Sequence, residues 1–103
     1  MNNKQIDIDI HTISKVDLQK YELIDIRESD EITQWPPIKE CQQIPFSEFP
    51  HNINEFDKSK NYLIFCAKGG RSHMMAEVLN SQGINALSVN NGIASVNSYL
   101  KNI

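Results

Sequence analysis

Asn61-Tyr62-Leu63-Ile64-Phe65-Cys66-Ala67-Lys68-Gly69-Gly70-Arg71-Ser72 is the stretch on which the reading of this chain turns. Asn61 to Phe65 is a near-continuous apolar run, as expected of a strand buried in a parallel sheet. Cys66 closes the strand and opens a glycine-containing loop. The loop leads into a helix that carries Met75, Val78 and Leu79 on one face and stops at Gly83, a residue suited to the position just past a helix end. A thiol held over backbone N–H groups at a helix N-terminus is biased toward thiolate. Gly69 and Gly70 can take the positive φ angles that curl such a loop and turn its N–H groups inward. Arg71 adds a permanent positive charge and a donor fork, and Ser72 can cap the helix with its hydroxyl. Taken singly, each residue has an ordinary explanation: a Cys as a small hydrophobe, a Gly-Gly turn, solvated cations. In this order they describe a cysteine nucleophile with an anion-sized bowl in front of it.

Outward from this stretch, strand and helix signals alternate. Ile6-Asp7-Ile8-Asp9-Ile10 has period-2 alternation and reads as a half-exposed or edge strand. Ser14 can cap a short helix through Lys20, and Tyr21 to Ile26 reads as a second strand. Ser29 to Thr33 reads as a short helix ended by Trp35-Pro36-Pro37. Gln43-Ile44-Pro45 is a brief strand-like run. Ser47 is placed to cap a one-turn helix limited by Pro50, and Asn52 to Lys58 carries a weak helical signal. Ala86 to Val89 is a further strand, and Ile93 to Leu100 a final helix after Asn90-Asn91-Gly92. Such alternation implies an α/β fold: a parallel sheet with helices on both faces. Ligands of such sheets bind at the carboxyl ends of the strands, where Cys66 sits.

The 103 residues, 40% of them apolar, support one modest core and read as a single domain over 1–103. The net charge of −3 and the lack of a basic stripe argue against nucleic-acid binding. No stretch approaches the roughly 18 apolar residues of a membrane span. Met1-Asn2-Asn3-Lys4-Gln5 lacks the apolar core of a signal peptide, so a cytoplasmic location is expected. Cys41 and Cys66 are too few for a disulfide scaffold and too far apart for a C-x-x-C site, and in a reducing compartment both should be thiols. His11 and His51 show no metal-ligand spacing with any Cys or acid, and no metal or other cofactor is expected.

The chain resembles the single-domain rhodanese-like family over nearly its whole length. Leu23-Ile24-Asp25-Ile26-Arg27-Glu28 looks like the family's L-I-D-V-R-E strand and turn. Ile44-Pro45-Phe46-Ser47-Glu48-Phe49 resembles its N-I-P-L-S-E-L segment. Cys66 to Ser72 resembles its C-x-x-G-x-R-S active loop, and Asn91-Gly92-Ile93 its late G-G-I turn. Departures fall at Pro36-Pro37-Ile38, where the family often has Gly-His-Ile, at Asn91, and at Val96, where a Trp is common. They lie outside the active loop and bear on the rim of the pocket. The resemblance implies a rhodanese-like fold with a parallel sheet of about five strands and a Cys66 persulfide. It implies sulfur transfer from thiosulfate or another persulfide donor to a thiol or cyanide acceptor. A protein-to-protein persulfide carrier with little small-molecule turnover is the alternative, and a sulfur-relay protein would then be the partner.

Cys66 is then the nucleophile, and the backbone of Ala67, Lys68, Gly69, Gly70, Arg71 and Ser72 holds the charge of the terminal sulfur. The C-x4-R spacing is shorter than the C-x5-R of cysteine phosphatases, which must wrap a tetrahedral phosphate, and so favours a single extra sulfur. Lys68 either steers an anionic donor or is a solvated lysine. Arg71 braces the loop or pairs with a carboxylate rather than touching substrate. Asp25 and Arg27 fix the loops near the site, as the resemblance implies, or form an ordinary surface pair. His73 is expected to be a partly exposed bystander whose protonated form the helix end disfavours. Cys41 is expected to be an incidental thiol, and Trp35 either packs at the sheet edge or lines the pocket.

Overall fold

The computed structural model describes residues 5–32, 35–49 and 51–102. Thr33 and Pro50, at which two short helices are expected to end, and Met1 to Lys4, part of the segment that lacks a signal-peptide core, lie outside the described residues. The described residues form an all-parallel five-stranded sheet of β1 (Asp7–Ile8), β2 (Tyr21–Asp25), β3 (Gln42–Gln43), β4 (Asn61–Phe65) and β5 (Asn85–Val89). Its order is β1-β5-β4-β2-β3, so the apolar run at Asn61–Phe65 is the central strand. Three helices accompany the sheet: α1 (Lys15–Leu18), α2 (Gly70–Ser81) and α3 (Gly92–Lys101). This is the α/β architecture that the alternating signals imply.

Side chains of β4 alternate between two cores. Tyr62, Ile64 and Cys66 join Ile24, Ile26, Met75, Ala76 and Leu79 against α2. Leu63 and Phe65 join Leu23, Val89, Ile93, Val96 and Tyr99 against α3. Each of these Leu, Ile and Phe side chains, once fully buried, contributes about 1.5–3 kcal/mol. The two cores lock the central strand from both sides and hold its carboxyl end, and therefore Cys66, in a fixed place. The hydroxyl of Tyr99 donates to the carbonyl of Ile13 and ties α3 to the segment before α1.

Several local expectations are corrected. The Ile6–Ile10 alternation yields only two paired residues, because Asp9 turns the chain: its carboxylate accepts the His11 N–H at 3.0 Å and starts a 3-10 turn at Ile10–Thr12. Asn52 to Lys58 forms only a 3-10 turn at Ile53–Glu55. Ser47 lies inside the 3-10 turn Phe46–Glu48 rather than capping it. Val78 is 40% exposed, and the buried face of α2 is Ser72, Met75, Ala76 and Leu79. Gly83 does follow α2 with φ of 82°, and the next N–H, from Ile84, reaches back to the Leu79 carbonyl at 2.9 Å.

Candidate active site

The ladder between β2 and β4 continues one step beyond the strands, with the Ile26 N–H donating to the Phe65 carbonyl at 2.9 Å. The chain then leaves the sheet at Cys66, whose residue exposure is 1%. The Gly69 N–H donates to Cys66 Sγ at 3.1 Å, and Ser72 Oγ lies 3.5 Å from the sulfur. Burial by itself raises the Cys66 thiol. Hydrogen bonds from the Ser72 hydroxyl and from the backbone N–H groups of Ser72, Gly69 and Lys68 outweigh it, and the thiol lies below its ordinary value.

Only one of the two glycines supplies the left-handed turn. Gly69 has φ of 120° and precedes α2 as its N-cap, whereas Gly70 is the first helical residue and carries no positive φ. A Cβ at Gly70 would meet nothing within 4 Å. Ser72 is therefore not the cap but lies inside the first turn of α2. Its hydroxyl is 3.1 Å from the Gly69 carbonyl and 2.6 Å from Ser88 Oγ on β5. A serine has one hydroxyl proton. When the sulfur is thiolate, Ser72 donates to it and accepts from Ser88. Ser88, fully buried, was not singled out by the sequence.

Arg71 turns away from the sulfur. Nη1 and Nη2 donate to the two carboxylate oxygens of Glu31 at 2.5 and 2.7 Å. This fork holds the Glu31 carboxyl down at about 2, chiefly through the hydrogen bonds from Arg71. Glu31 Oε1 also accepts the Glu28 N–H at 2.9 Å, and the Glu28 carboxylate accepts the Ser47 N–H and hydroxyl at 2.7 and 2.8 Å. The active loop is thus fastened through Arg71, Glu31 and Glu28 to the segment after β3. The charge of Arg71 is matched by a carboxylate, and the acidity of Cys66 comes from hydrogen bonds instead.

Asp25 and Arg27 are 0% and 2% exposed, so they form a buried pair and not a surface one. Arg27 Nη2 donates to Asp25 Oδ2 at 2.8 Å, Nε reaches both oxygens, and Nη1 donates to the Trp35 carbonyl at 2.7 Å. Removing one partner of such a pair costs about 3–5 kcal/mol, because the other charge is stranded. The pair thereby fixes Trp35, whose half-buried side chain packs on the α3-side core and lines a hollow together with Ala67, Lys68, Ile93 and Ala94. A larger hollow, lined by Ile8, Thr12, Asp17 and Tyr21 among others, lies near the amino ends of β2 and β4, at the wrong end of the sheet for Cys66.

The remaining candidates are peripheral. Asp7 accepts from His73 Nδ1 at 2.9 Å and raises the His73 pKa, against the depression expected from the helix end. Cys41 packs with the α3-side core, on the opposite face from Cys66, and burial pushes it up to about 12; both cysteines are free thiols. His51 is exposed. Val96, at the position where a family Trp was noted, is fully buried in the core and does not reach the rim.

The Rhodanese-like domain family profile matches residues 12–99, and the chain belongs to that family. The putative sulfurtransferase YtwF of Bacillus subtilis is 31% identical over 71 residues, which cover 69% of this chain and 68% of that protein. A tRNA sulfurtransferase of Vibrio vulnificus is 36% identical over 70 residues, covering 65% of this chain but 14% of that protein, so this chain matches only a small part of that relative. A crystal structure of a rhodanese-like domain protein from Staphylococcus aureus superposes with a TM-score of 0.68 at 28% identity, covering 89% of each chain. Family and relatives together support sulfur transfer as the general chemistry.

Proposed function

We propose that Cys66 carries a sulfane sulfur as a persulfide and passes it from thiosulfate or another persulfide donor to a thiol or cyanide acceptor. The observation that carries this reading is the Cys66 sulfur itself: buried at the end of the central strand, taking the Gly69 N–H, and held below its ordinary pKa by Ser72 and the loop. A thiolate there attacks the outer sulfur of thiosulfate. The new bond joins Cys66 Sγ to that sulfur, the old S–S bond breaks, and its electron pair leaves with sulfite. The product, Cys–S–S⁻, keeps one negative charge on its terminal sulfur, and the N–H groups of the loop from Ala67 to Ser72 are its counter-dipoles. An acceptor then attacks the terminal sulfur and regenerates the thiolate. Lys68, exposed beside the loop, draws anionic donors in; Arg71, Asp25 and Arg27 keep the loop in shape without touching them.

The match to a segment of tRNA sulfurtransferases favours a second reading, in which this chain passes its persulfide to a partner protein. The two free thiols suit a reducing, cytoplasmic setting. Thiocyanate formation from thiosulfate and cyanide tests the enzyme reading. The wild-type protein turns over and Cys66→Ser falls to background, whereas a persulfide that forms without turnover favours the carrier.

A further inference from the structure

Ser88 alternates along β5 with Leu87 and Val89, which face the α3-side core, and so shares the α2 side of the strand with Ala86. Its backbone is fixed by both neighbouring strands. It is in register with Asp7 of β1 and Ile64 of β4, and its N–H donates to the Ile6 carbonyl at 2.7 Å. The residue is fully buried. An apolar side chain is the ordinary occupant of such a place, because a buried hydroxyl without a partner is costly. Among the described residues the Ser88 hydroxyl has two hydrogen-bond partners, and both belong to the stretch from Cys66 to Ser72. They are Ser72 Oγ at 2.6 Å and the Gly69 carbonyl at 3.4 Å.

Each of the two hydroxyls has one proton to give. For Ser88 the near acceptor is Ser72 Oγ at 2.6 Å and the far one the Gly69 carbonyl at 3.4 Å, so its proton goes to Ser72. The Ser72 proton is then left with two acceptors. One is the Gly69 carbonyl at 3.1 Å, which already takes the His73 N–H at 3.0 Å. The other is Cys66 Sγ at 3.5 Å, and an anionic sulfur is the stronger acceptor of the two. We propose that Ser88 is a positioning residue for Cys66: by donating to Ser72 it aims the one Ser72 proton at the sulfur and keeps Cys66 as the attacking thiolate. The proposal deepens the persulfide reading and rests on it. A hydroxyl that accepts one hydrogen bond is polarised and donates a stronger one. Without the Ser88 oxygen, Ser72 loses its donor inside a buried site, and its proton is free to stay on the Gly69 carbonyl. Ser88 therefore acts on the sulfur through Ser72 alone.

Iodoacetamide alkylation against pH, followed on the peptide that contains Cys66, reads the thiolate without any sulfur transfer. Ser88→Ala raises the midpoint by about half a pH unit to one pH unit and slows alkylation below the midpoint about three- to tenfold. The charged groups around Cys66 are Lys68 of the loop, Arg71 of α2 with Glu31, the Asp25–Arg27 pair past β2, and His73 with Asp7 and Glu77. The substitution removes none of them. Ser88→Thr and Ser88→Val share one shape and differ by the hydroxyl, so Ser88→Thr stays near wild type and Ser88→Val follows Ser88→Ala. That pair decides alone if Ser88→Ala does not fold by circular dichroism. The Ser72→Ala background separates positioning from packing, because there Ser88→Ala moves the midpoint no further. A wild-type midpoint in folded Ser88→Ala, equal midpoints for the Thr and Val variants, or a full further shift in the Ser72→Ala background overturns the proposal. Sulfur uptake from thiosulfate is measured separately, and at the same pH it slows in Ser88→Ala by the factor seen in alkylation. If wild type takes up no sulfur at all, the persulfide reading itself fails, whatever the alkylation midpoints are.

Discussion

Gly92, the first residue of α3, lies against the backbone of Cys66, twenty-six positions earlier in the chain. A Cβ at Gly92 would fall inside the van der Waals envelope of the Cys66 carbonyl oxygen and stand 2.5 Å from that of Ala67. The neighbouring Ile93 N–H donates to the same Cys66 carbonyl at 2.9 Å. Gly92 also has φ of 59°, so both space and conformation exclude a side chain there. The start of α3 is therefore the back wall of the active loop.

Gly92→Ala should accordingly push the loop off its position. The expected cost is about 1–3 kcal/mol of stability, with a loss of sulfur transfer larger than that destabilisation alone produces. Chemical denaturation and thiocyanate formation measure the two separately. Wild-type stability in Gly92→Ala would show that the close approach is not rigid.

The two glycines of the loop should behave differently. Gly69→Ala forces a side chain into φ of 120° and should destabilise the protein by about 1–3 kcal/mol. Gly70→Ala places a methyl group in open space on a helical residue and should stabilise it by up to about 1 kcal/mol. Thermal melts of both variants check the sign. Equal losses would contradict the assignment of the left-handed turn to Gly69.

How far the sequence discloses these features follows from the range over which each is determined. β2, β4, β5, α2 and α3 are legible because runs such as Tyr62 to Phe65 and stops such as Gly83 are local signals. Cys66 with its loop is legible because strand, loop and helix are contiguous. Glu31 is not, because it meets Arg71 forty positions away and no spacing rule connects them. Ser88 is an ordinary strand serine until β5 places it beside Ser72. Gly92 carries a visible signal, a glycine in a turn, but what it packs against is a matter of topology. The division of labour between Gly69 and Gly70 depends on where α2 begins, and two adjacent glycines carry the same local signal for that one-residue choice.

The Arg71–Glu31 pair sets a pH dependence. The Glu31 carboxyl is lowered from 4.5 to about 2 in the folded protein. A lowered carboxyl contributes stability above its unfolded value and loses it as pH falls toward the folded one. The pair is about one third exposed, at 30% and 31%, so solvent screening limits its contribution to about 1 kcal/mol. Wild type should therefore exceed Glu31→Gln in stability by about this amount near neutral pH. The gap should close between pH 4.5 and about 2. Urea midpoints at neutral and acidic pH measure it, and a gap independent of pH would place its origin elsewhere.

The acidity of Cys66 is attributed to hydrogen bonds, with Ser72 the largest favourable contributor. Iodoacetamide alkylation against pH should give Cys66 a midpoint below that of an unstructured cysteine peptide, and Ser72→Ala should move it upward. Cys41, pushed to about 12, should react only at high pH while the protein stays folded. An unchanged midpoint in folded Ser72→Ala would remove Ser72 from the explanation.

The central claim is that the transferred sulfur resides on Cys66, and intact-protein mass spectrometry with peptide mapping tests it most directly. After incubation with thiosulfate, wild-type protein should gain about 32 Da on the peptide containing Cys66. Cyanide should remove that mass, and Cys66→Ser should never acquire it. An adduct that maps to Cys41, or that persists in Cys66→Ser, would contradict the account.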